Sequence, residues 1–247
     1  MQNHGVPMTR KDRNNDEIRE TTIEPNYLEN PDGSALVSTG KTKVICTAMI
    51  DESLPPWIEN NEDLNQGWLT GRYGMLPGSG DSRIRRERRG AKGRTKEIQR
   101  LIGRSLRTCL DLEKLGERTI WIDCDVLQAD GGTRTASITG GWIALRIALN
   151  KLIYEGKIDE DPMTRQIAAT SVGVVDDEIL LDLPFEEDSS ADVDMNVVMD
   201  TDGNFIEIQA TGEEAVFTRA QHLKMLKKKK KGIRELFEVQ NEALKKL

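Results

Sequence analysis

Between Asp125 and Leu145 the chain reads DVLQADGGTRTASITGGWIAL. Apolar residues alternate as far as Leu127. Two glycines follow, then Thr-Arg-Thr-Ala-Ser, then an apolar run with helical spacing. The first backbone N–H groups of a helix lack partners within it and carry partial positive charge, which a bound anion satisfies. Gly131 and Gly132 let backbone approach a ligand without a Cβ in the way. Thr133, Thr135, Ser137 and Thr139 offer hydroxyls, and Arg134 adds a charged fork matched to phosphate oxygens. These residue types make a site for a small tetrahedral oxyanion. The alternative is a helix cap by Thr135 or Ser137 with Arg134 facing solvent, although a cap alone needs neither the glycine pair nor the arginine.

A second constellation is LDLPFEEDSSADVDMNVVM, with six carboxylates between Asp182 and Asp194. Asp192 and Asp194 share one face of a strand that begins there, and Asp188 falls in the loop before it. Clustered carboxylates are costly unless they bind a cation or share a proton. Mg²⁺ suits them, because it takes hard oxygen ligands and bridges them to phosphates. The alternative is an acidic surface loop. The third feature is charge: Arg83 to Arg107 holds eleven Lys or Arg against two Glu, a local balance of +9. The whole chain carries −7, so the remainder carries −16. Such segregation gives either a basic lane for a polyanion or a solvated face paired elsewhere. A phosphate nest, a carboxylate cluster and a basic lane together point to phosphoryl transfer on a polyanion. Residue chemistry leaves open whether water or another nucleophile attacks.

The elements that must position these groups are legible in outline. TTIEPNYL, GSALVSTG and TKVICTAMI read as strands, the last two joined by a hairpin turn at STGKT. That turn is not a phosphate-binding P-loop, because the glycine required ahead of its Gly-Lys pair is missing. GWLTGRYGML reads as a strand and PGSGDSRIRRERRGAKG as a mobile basic loop. RTKEIQRLIGRSLRTCLDLEKLG reads as one helix, with Ile98, Leu101, Ile102, Ser105, Cys109 and Leu112 on its inner stripe. ERTIWIDCDVLQA alternates as a strand, and the following helix turns Ile138, Trp142, Leu145, Leu149 and Leu152 inward. QIAATSVGVVDDEILLDL and VDMNVVMDTDGNFIEIQAT read as hairpins turning at Asp176-Asp177 and at TDGN. A last helix runs from about residue 217 to 247 and contains the charge run Lys227–Lys231. Strands first and helices later, twice over, predict an α+β fold with antiparallel or mixed sheets and helices packed on them.

Composition bounds the rest. The 247 residues, 37% hydrophobic and 31% charged, suit a soluble globular protein with a real core. No apolar run is long enough to cross a bilayer, and the polar start MQNHGVPMTRKDRNNDE is no secretory signal. Cys46, Cys109 and Cys124 lack metal spacing and read as buried small hydrophobes in a reducing compartment, which predicts a cytoplasmic protein. Residues 1–9 are expected to be disordered and 10–247 to form a single domain.

At IDCDVLQADGGTRTASITG the chain resembles the ribonuclease PH family, the bacterial phosphate-dependent 3′-exoribonucleases that finish tRNA ends. GSALVSTGKTKVICTA, GWLTGRYGMLP, GRTKEIQRLIGRSLR, EEDSSADVDMNVVM and FIEIQATGEE look like further family blocks in family order. The resemblance implies two βαβα-like halves, of the class shared with the second domain of ribosomal protein S5. It implies a homo-hexamer built as a trimer of dimers. It also implies reversible attack by inorganic phosphate, the co-substrate, on the last phosphodiester of tRNA precursors, releasing nucleoside diphosphates. Carried over by motif, the phosphate contacts fall on Arg94, Gly132, Thr133 and Arg134, with Ser137 a further donor. The catalytic and Mg²⁺-associated aspartates match Asp188 and Asp194, with Asp194 as metal ligand or as acid to the leaving oxygen. Arg83 and Arg86 match residues that contact tRNA. A non-catalytic RNA-binding ring subunit of an exosome-like assembly is the alternative within the same superfamily.

Overall fold

A computed structural model describes residues 10, 12–61, 63–87, 90–212 and 215–247. The segment 1–9 expected to be disordered lies outside the described residues, as do Arg88 and Arg89 of the basic loop. The first half runs β1 (Thr21–Pro25), β2 (Gly33–Thr39), β3 (Thr42–Asp51), a single turn α1 (Pro56–Glu59), β4 (Trp68–Met75), α2 (Gly93–Arg107), α3 (Leu112–Leu115), β5 (Thr119–Gln128) and α4 (Thr133–Tyr154). The second half runs β6 (Ile167–Val175), β7 (Glu178–Leu181), α5 (Phe185–Asp188), β8 (Val193–Asp200), β9 (Phe205–Gly212) and α6 (Arg219–Leu244). The fold is α+β, as the element order predicts.

The first sheet is mixed, in the order β1-β2-β3-β5-β4, with β4 parallel to β5 across the α2 crossover. The second is antiparallel, in the order β7-β6-β8-β9. Period-2 alternation explains the first sheet: Val44, Cys46 and Ala48 of β3 and Ile122, Cys124 and Val126 of β5 all point into one core. The β6–β7 hairpin turns on Asp176 and Asp177, both at positive φ (49° and 64°), the geometry of a two-residue hairpin loop.

Helix α4 differs from its expected inward stripe. Fifteen of its residues are buried, on every face, because β2 and β3 pack on one side of it and β6 on another. Close approach depends on small residues; a Cβ on Gly140 would stand 2.3 Å from Val37 Cγ2. The main core therefore runs from the first sheet through α4 to Ile167, Ala169 and Val198 of the second half.

The single helix expected from Arg94 onward is interrupted. α2 ends at Arg107, and Leu110 pairs with Met163 in an isolated bridge while the Asp111 N–H donates to Pro162 O at 2.8 Å. Asp111 then caps α3. Long-range pairing with the 162–164 segment overrides local helical periodicity here.

Two buried charges matter for stability. Asp182, just after β7, receives the Arg19 backbone N–H (2.8 Å), its Nε (2.9 Å) and its Nη2 (2.7 Å). Both side chains are 6% exposed. Burial alone would raise the Asp182 carboxyl, but the Arg19 hydrogen bonds and charge outweigh it and hold it below the usual carboxylate value. The other charge is Lys229, in the Lys227–Lys231 run. That run is not a uniformly solvated face. Lys231 pairs with Asp16 at 3.0 Å. Lys229 is fully buried, with Nζ 3.6 Å above the Phe205 ring and, among the described residues, no hydrogen-bond partner. Burial lowers its amine to about 7.

Asp182→Asn leaves Arg19 buried without its counter-ion, and should cost about 3–5 kcal/mol in urea unfolding. The wild-type contribution is full above the ordinary carboxylate pKa and falls as pH drops through the depressed folded value, so the variant should flatten the acid limb of stability. Lys229→Met should have the opposite sign. The folded lysine releases its proton near 7 and the unfolded one near 10.5, so wild-type stability rises with pH across that window. The variant should abolish that rise and gain about 1–3 kcal/mol at neutral pH, read by the same titration.

Candidate active site

The chain leaves β5 at Gln128 and turns through Gly131 and Gly132, both left-handed at φ 71° and 68°. Gly132 is the N-cap of α4, and no side chain caps the helix. Capping by Thr135 or Ser137 is thereby ruled out, and the first intrahelical bond runs from the Ala136 N–H to Gly132 O. The N–H groups of the first turn are left for a ligand. Gly131 is needed for a second reason. A Cβ there would stand 2.4 Å from Leu183 O, so the turn lies directly against the segment that leads into α5.

The hydroxyls expected to serve the anion are engaged within the protein. Thr133 Oγ1 is 2.8 Å from the Tyr73 hydroxyl, and burial pushes that phenol up, so it stays protonated. Thr135 donates to Gly132 O at 2.9 Å. Ser137 does not reach the site: its side chain is fully buried and donates to Thr133 O at 2.8 Å. Its own carbonyl accepts both the Cys46 and Cys124 thiols (3.7 and 3.6 Å). Burial drives the Cys109 thiol to about 12, and contact with Cys46 plus burial raises Cys124, so these cysteines are inert packing residues.

Gly131, Gly132, Thr133 and Arg134 line a cavity of about 410 Å³ whose other walls include Arg94, from the first turn of α2. Asp188 and Asp194 line the same cavity from the second half. An adjoining opening of about 560 Å³ again includes Arg94, Arg134, Asp188 and Asp194, and adds Asp192. Asp188 is the last residue of α5 rather than part of a loop. Asp194 is the second residue of β8 and accepts from Asn196 Nδ2 at 2.9 Å. The six carboxylates divide by environment. Asp182 and Glu187 are consumed by arginines, Glu186 is exposed beside them, and Asp188, Asp192 and Asp194 face the cavity. Among the described residues no three acidic, His or Cys side chains converge on one point. Two carboxylates still fit Mg²⁺, which keeps several waters and leans on substrate phosphates.

The basic loop is anchored at its base, where the Ala129 N–H donates to buried Ser79 O at 2.7 Å. Gly80, Asp81, Ser82 and Ile84 form one wall of the cavity, while Arg83 and Arg86 are exposed beside it. Arg86 lies near enough to Asp125 to oppose the rise that burial imposes on that carboxyl. Glu87 accepts from the Lys92 N–H and from Thr95 Oγ1, tying the loop to the start of α2.

Several residues that hold the site carry no motif of their own. Thr42 donates to Gly131 O at 2.7 Å and accepts the Asp130 N–H at 2.9 Å, pinning the glycine turn to the start of β3. Arg19 donates to Asp130 O while paired with Asp182. Arg10 makes a two-pronged pair with Glu187 (2.7 and 2.5 Å), next to Asp188, and Arg10 and Arg13 both donate to Asp182 O. Asp182 sits at φ 54°, a left-handed position that a non-glycine residue seldom adopts and that marks a constraint. Glu97 and Gln209 meet the Arg134 guanidinium: Nη1 donates to Gln209 Oε1 at 3.2 Å and lies 3.6 Å from Glu97 Oε2.

Comparisons with known proteins show which family the chain resembles. Two family models match in tandem: "3′ exoribonuclease family, domain 1" over residues 17–149, and domain 2 of that family over residues 165–232. Ribonuclease PH of Bacillus pumilus is 54% identical over 232 residues, covering 93% of this chain and 95% of its own length. Ribonuclease PH of Neisseria meningitidis is 54% identical over 231 residues, covering 93% and 94%. Among solved structures, rice Rrp46 superposes with a TM-score of 0.75 at 17% identity, covering 93% of this chain and 97% of its own. An archaeal exosome core chain gives 0.73 at 24%, covering 93% and 89%. At those identities the structural likeness speaks to the fold, and the sequence matches carry the assignment: this chain belongs to the 3′ exoribonuclease family, among the relatives of ribonuclease PH.

Proposed function

We propose that this protein is a phosphorolytic 3′-to-5′ exoribonuclease that trims tRNA precursors, with inorganic phosphate as nucleophile and nucleoside diphosphates as products. One observation carries the reading. A single cavity opposes a glycine-opened helix start and two arginines, Arg94 and Arg134, to two aspartates, Asp188 and Asp194. Cations and backbone N–H groups on one side hold a polyoxyanion, and carboxylates on the other serve a leaving oxygen.

In this mechanism Arg94, Arg134 and the N–H groups after Gly132 hold phosphate in line with the last phosphodiester. A phosphate oxygen bonds to that phosphorus, the bond to the penultimate nucleotide's 3′-oxygen breaks, and the departing oxygen takes a proton. Asp194, steadied by Asn196, would supply that proton or hold Mg²⁺, and Asp188 would help to hold the ion. Bound Mg²⁺ would supply charge neutralisation at the reacting phosphates. Phe185, 55% exposed in the cavity wall, offers a flat apolar face to the terminal base. Ser137 is left out of the phosphate set, because its hydroxyl faces the core. Arg83 and Arg86 bind the RNA backbone outside the cavity.

Residues 10–247 act as one domain, supported by the shared core around α4 and by the arginine ties between the halves. The protein works in the cytoplasm, consistent with three free buried thiols; among the described residues no helix is long and apolar enough to cross a membrane. It assembles as a homo-hexamer, a trimer of dimers. Exposed Trp57, Tyr154, Val216 and Leu223 supply apolar surface that an assembly would cover. Light scattering of the purified protein gives its mass directly.

Orthophosphate, and not water, should support shortening of a 3′-extended tRNA, with nucleoside diphosphates identified by chromatography. Monophosphates released without added phosphate would reject the reading, and no shortening under either condition would favour a non-catalytic ring subunit. Arg134→Ala should reduce phosphorolysis by about 10²–10³-fold while RNA binding persists. The double variant Arg83→Ala/Arg86→Ala should lower RNA affinity and reduce the slope of log K against log salt by about 1.5, leaving phosphate KM unchanged.

A further inference from the structure

Gln209 on β9 stands directly across from Asn196 on β8, so their side chains share a face of the sheet. Asn196 lines the cavity and holds Asp194. Gln209 reaches toward the first half. Its Nε2 donates to Glu97 Oε1 at 3.0 Å, and its Oε1 accepts from Arg134 Nη1 at 3.2 Å. A carboxylate only accepts and a guanidinium only donates, so an amide placed between them has one permitted orientation. Glu97 thus sets which end of Gln209 faces Arg134. Glu97 is also one helical turn beyond Arg94 on α2, placing one negative charge near both cations of the cavity. Three elements meet in this contact: α2 and α4 from the first half, and β9 from the second.

We infer that Glu97 and Gln209 are positioning residues that set the phosphate affinity of the cavity through Arg134, and that they act in opposite directions. This rests on the reading of the cavity as a phosphate site. Gln209 holds Nη1, so the remaining guanidinium N–H groups are pre-aimed as a fork for the anion. Glu97 opposes the anion, because its carboxylate attracts the same guanidinium. Glu97 Oε2 already lies 3.6 Å from Nη1, and the Gln209 amide, bonded to both groups, holds the pair at that separation instead of a closer hydrogen-bonded contact. A reaction that runs in both directions must release phosphate as well as hold it, and a nearby carboxylate moderates the grip of two arginines. The pair therefore acts on phosphate affinity and not on RNA affinity.

The test uses the full-length protein and inorganic phosphate, titrated calorimetrically without RNA and then varied in steady-state phosphorolysis. Gln209→Leu should weaken phosphate binding and raise phosphate KM about tenfold, because a hydrogen bond to a charged group is lost. Glu97→Gln keeps an acceptor for Gln209 Nε2 but removes the competing charge, and should tighten phosphate binding about threefold or more. In the double variant no charged carboxylate remains to collapse onto Arg134, so its affinity should lie closer to wild type than that of Gln209→Leu. KM for RNA should stay within about twofold throughout. The inference is overturned if Gln209→Leu leaves phosphate affinity unchanged, if Glu97→Gln weakens it, or if RNA KM moves as far as phosphate KM. A misfolded variant does not bind phosphate more tightly, so the Glu97→Gln arm stands apart from any stability effect. If the wild type binds phosphate but does not shorten RNA, the functional reading fails while the calorimetric comparison still decides this one. If the wild type binds no phosphate, both fall.

Discussion

Asp182 is a buried carboxylate in a left-handed backbone position, and the site depends on how it is neutralised. Arg19 encloses it with a backbone N–H and two guanidinium bonds, then extends a further N–H to the carbonyl of Asp130. One side chain thereby joins the segment before α5 to the segment before α4. Arg10 and Arg13 add donors to the Asp182 carbonyl, and Arg10 grips Glu187 beside Asp188. Such pairs add little net stability compared with an apolar packing, but they are directional. They hold the glycine turn and the carboxylate-bearing helix in a set relation, which an apolar contact between two loops would leave loose.

The same logic governs α4. Its N-terminus receives no side-chain cap, and its hydroxyls bond to carbonyls and neighbouring side chains rather than to the cavity. That arrangement satisfies the helix interior between two sheets, where an unpaired hydroxyl would be costly. It leaves backbone N–H groups and Arg134 as the donors at the opening. Thr42 and Tyr73 complete the brace, from β3 and β4, by engaging Gly131 and Thr133. The anion site is therefore mainly backbone, held by second-layer side chains from distant parts of the chain.

Charge is organised by the same division between scaffold and surface. The acidic excess outside residues 83–107 does not spread evenly. Some carboxylates are locked to arginines in the interior, and others gather at the cavity rim opposite Arg94 and Arg134. The exposed arginines beside the cavity keep a local positive field on a body whose net charge is −7. A polyanion can then be drawn to one region without binding elsewhere.

Much of this was legible in the residues. Alternation in TKVICTAMI and ERTIWIDCDVLQA, the hairpin signals, and the glycine turn before an apolar helix are local patterns with local causes, and the structure carries all of them. The pairing of Arg94 and Arg134 with Asp188 and Asp194 came from family motifs, because these residues sit on separate elements and share no periodicity. What tertiary structure alone decided was which polar groups remain available. Ser137 looks like a ligand donor in the motif but turns into the core, since α4 is enclosed on every side. Asp182 and Glu187 look like cavity carboxylates but are claimed by arginines more than 160 residues earlier in the chain. Thr42, Glu97 and Gln209 carry no local signal at all. The sequence by itself determined most of the elements and the chemistry near each turn, because those depend on neighbours along the chain; the break after Arg107 and the short helix α5 came from tertiary contacts. Which side chains face ligand and which face protein was decided by tertiary packing, within the first half as well as between the halves, because burial and partner choice depend on neighbours in space.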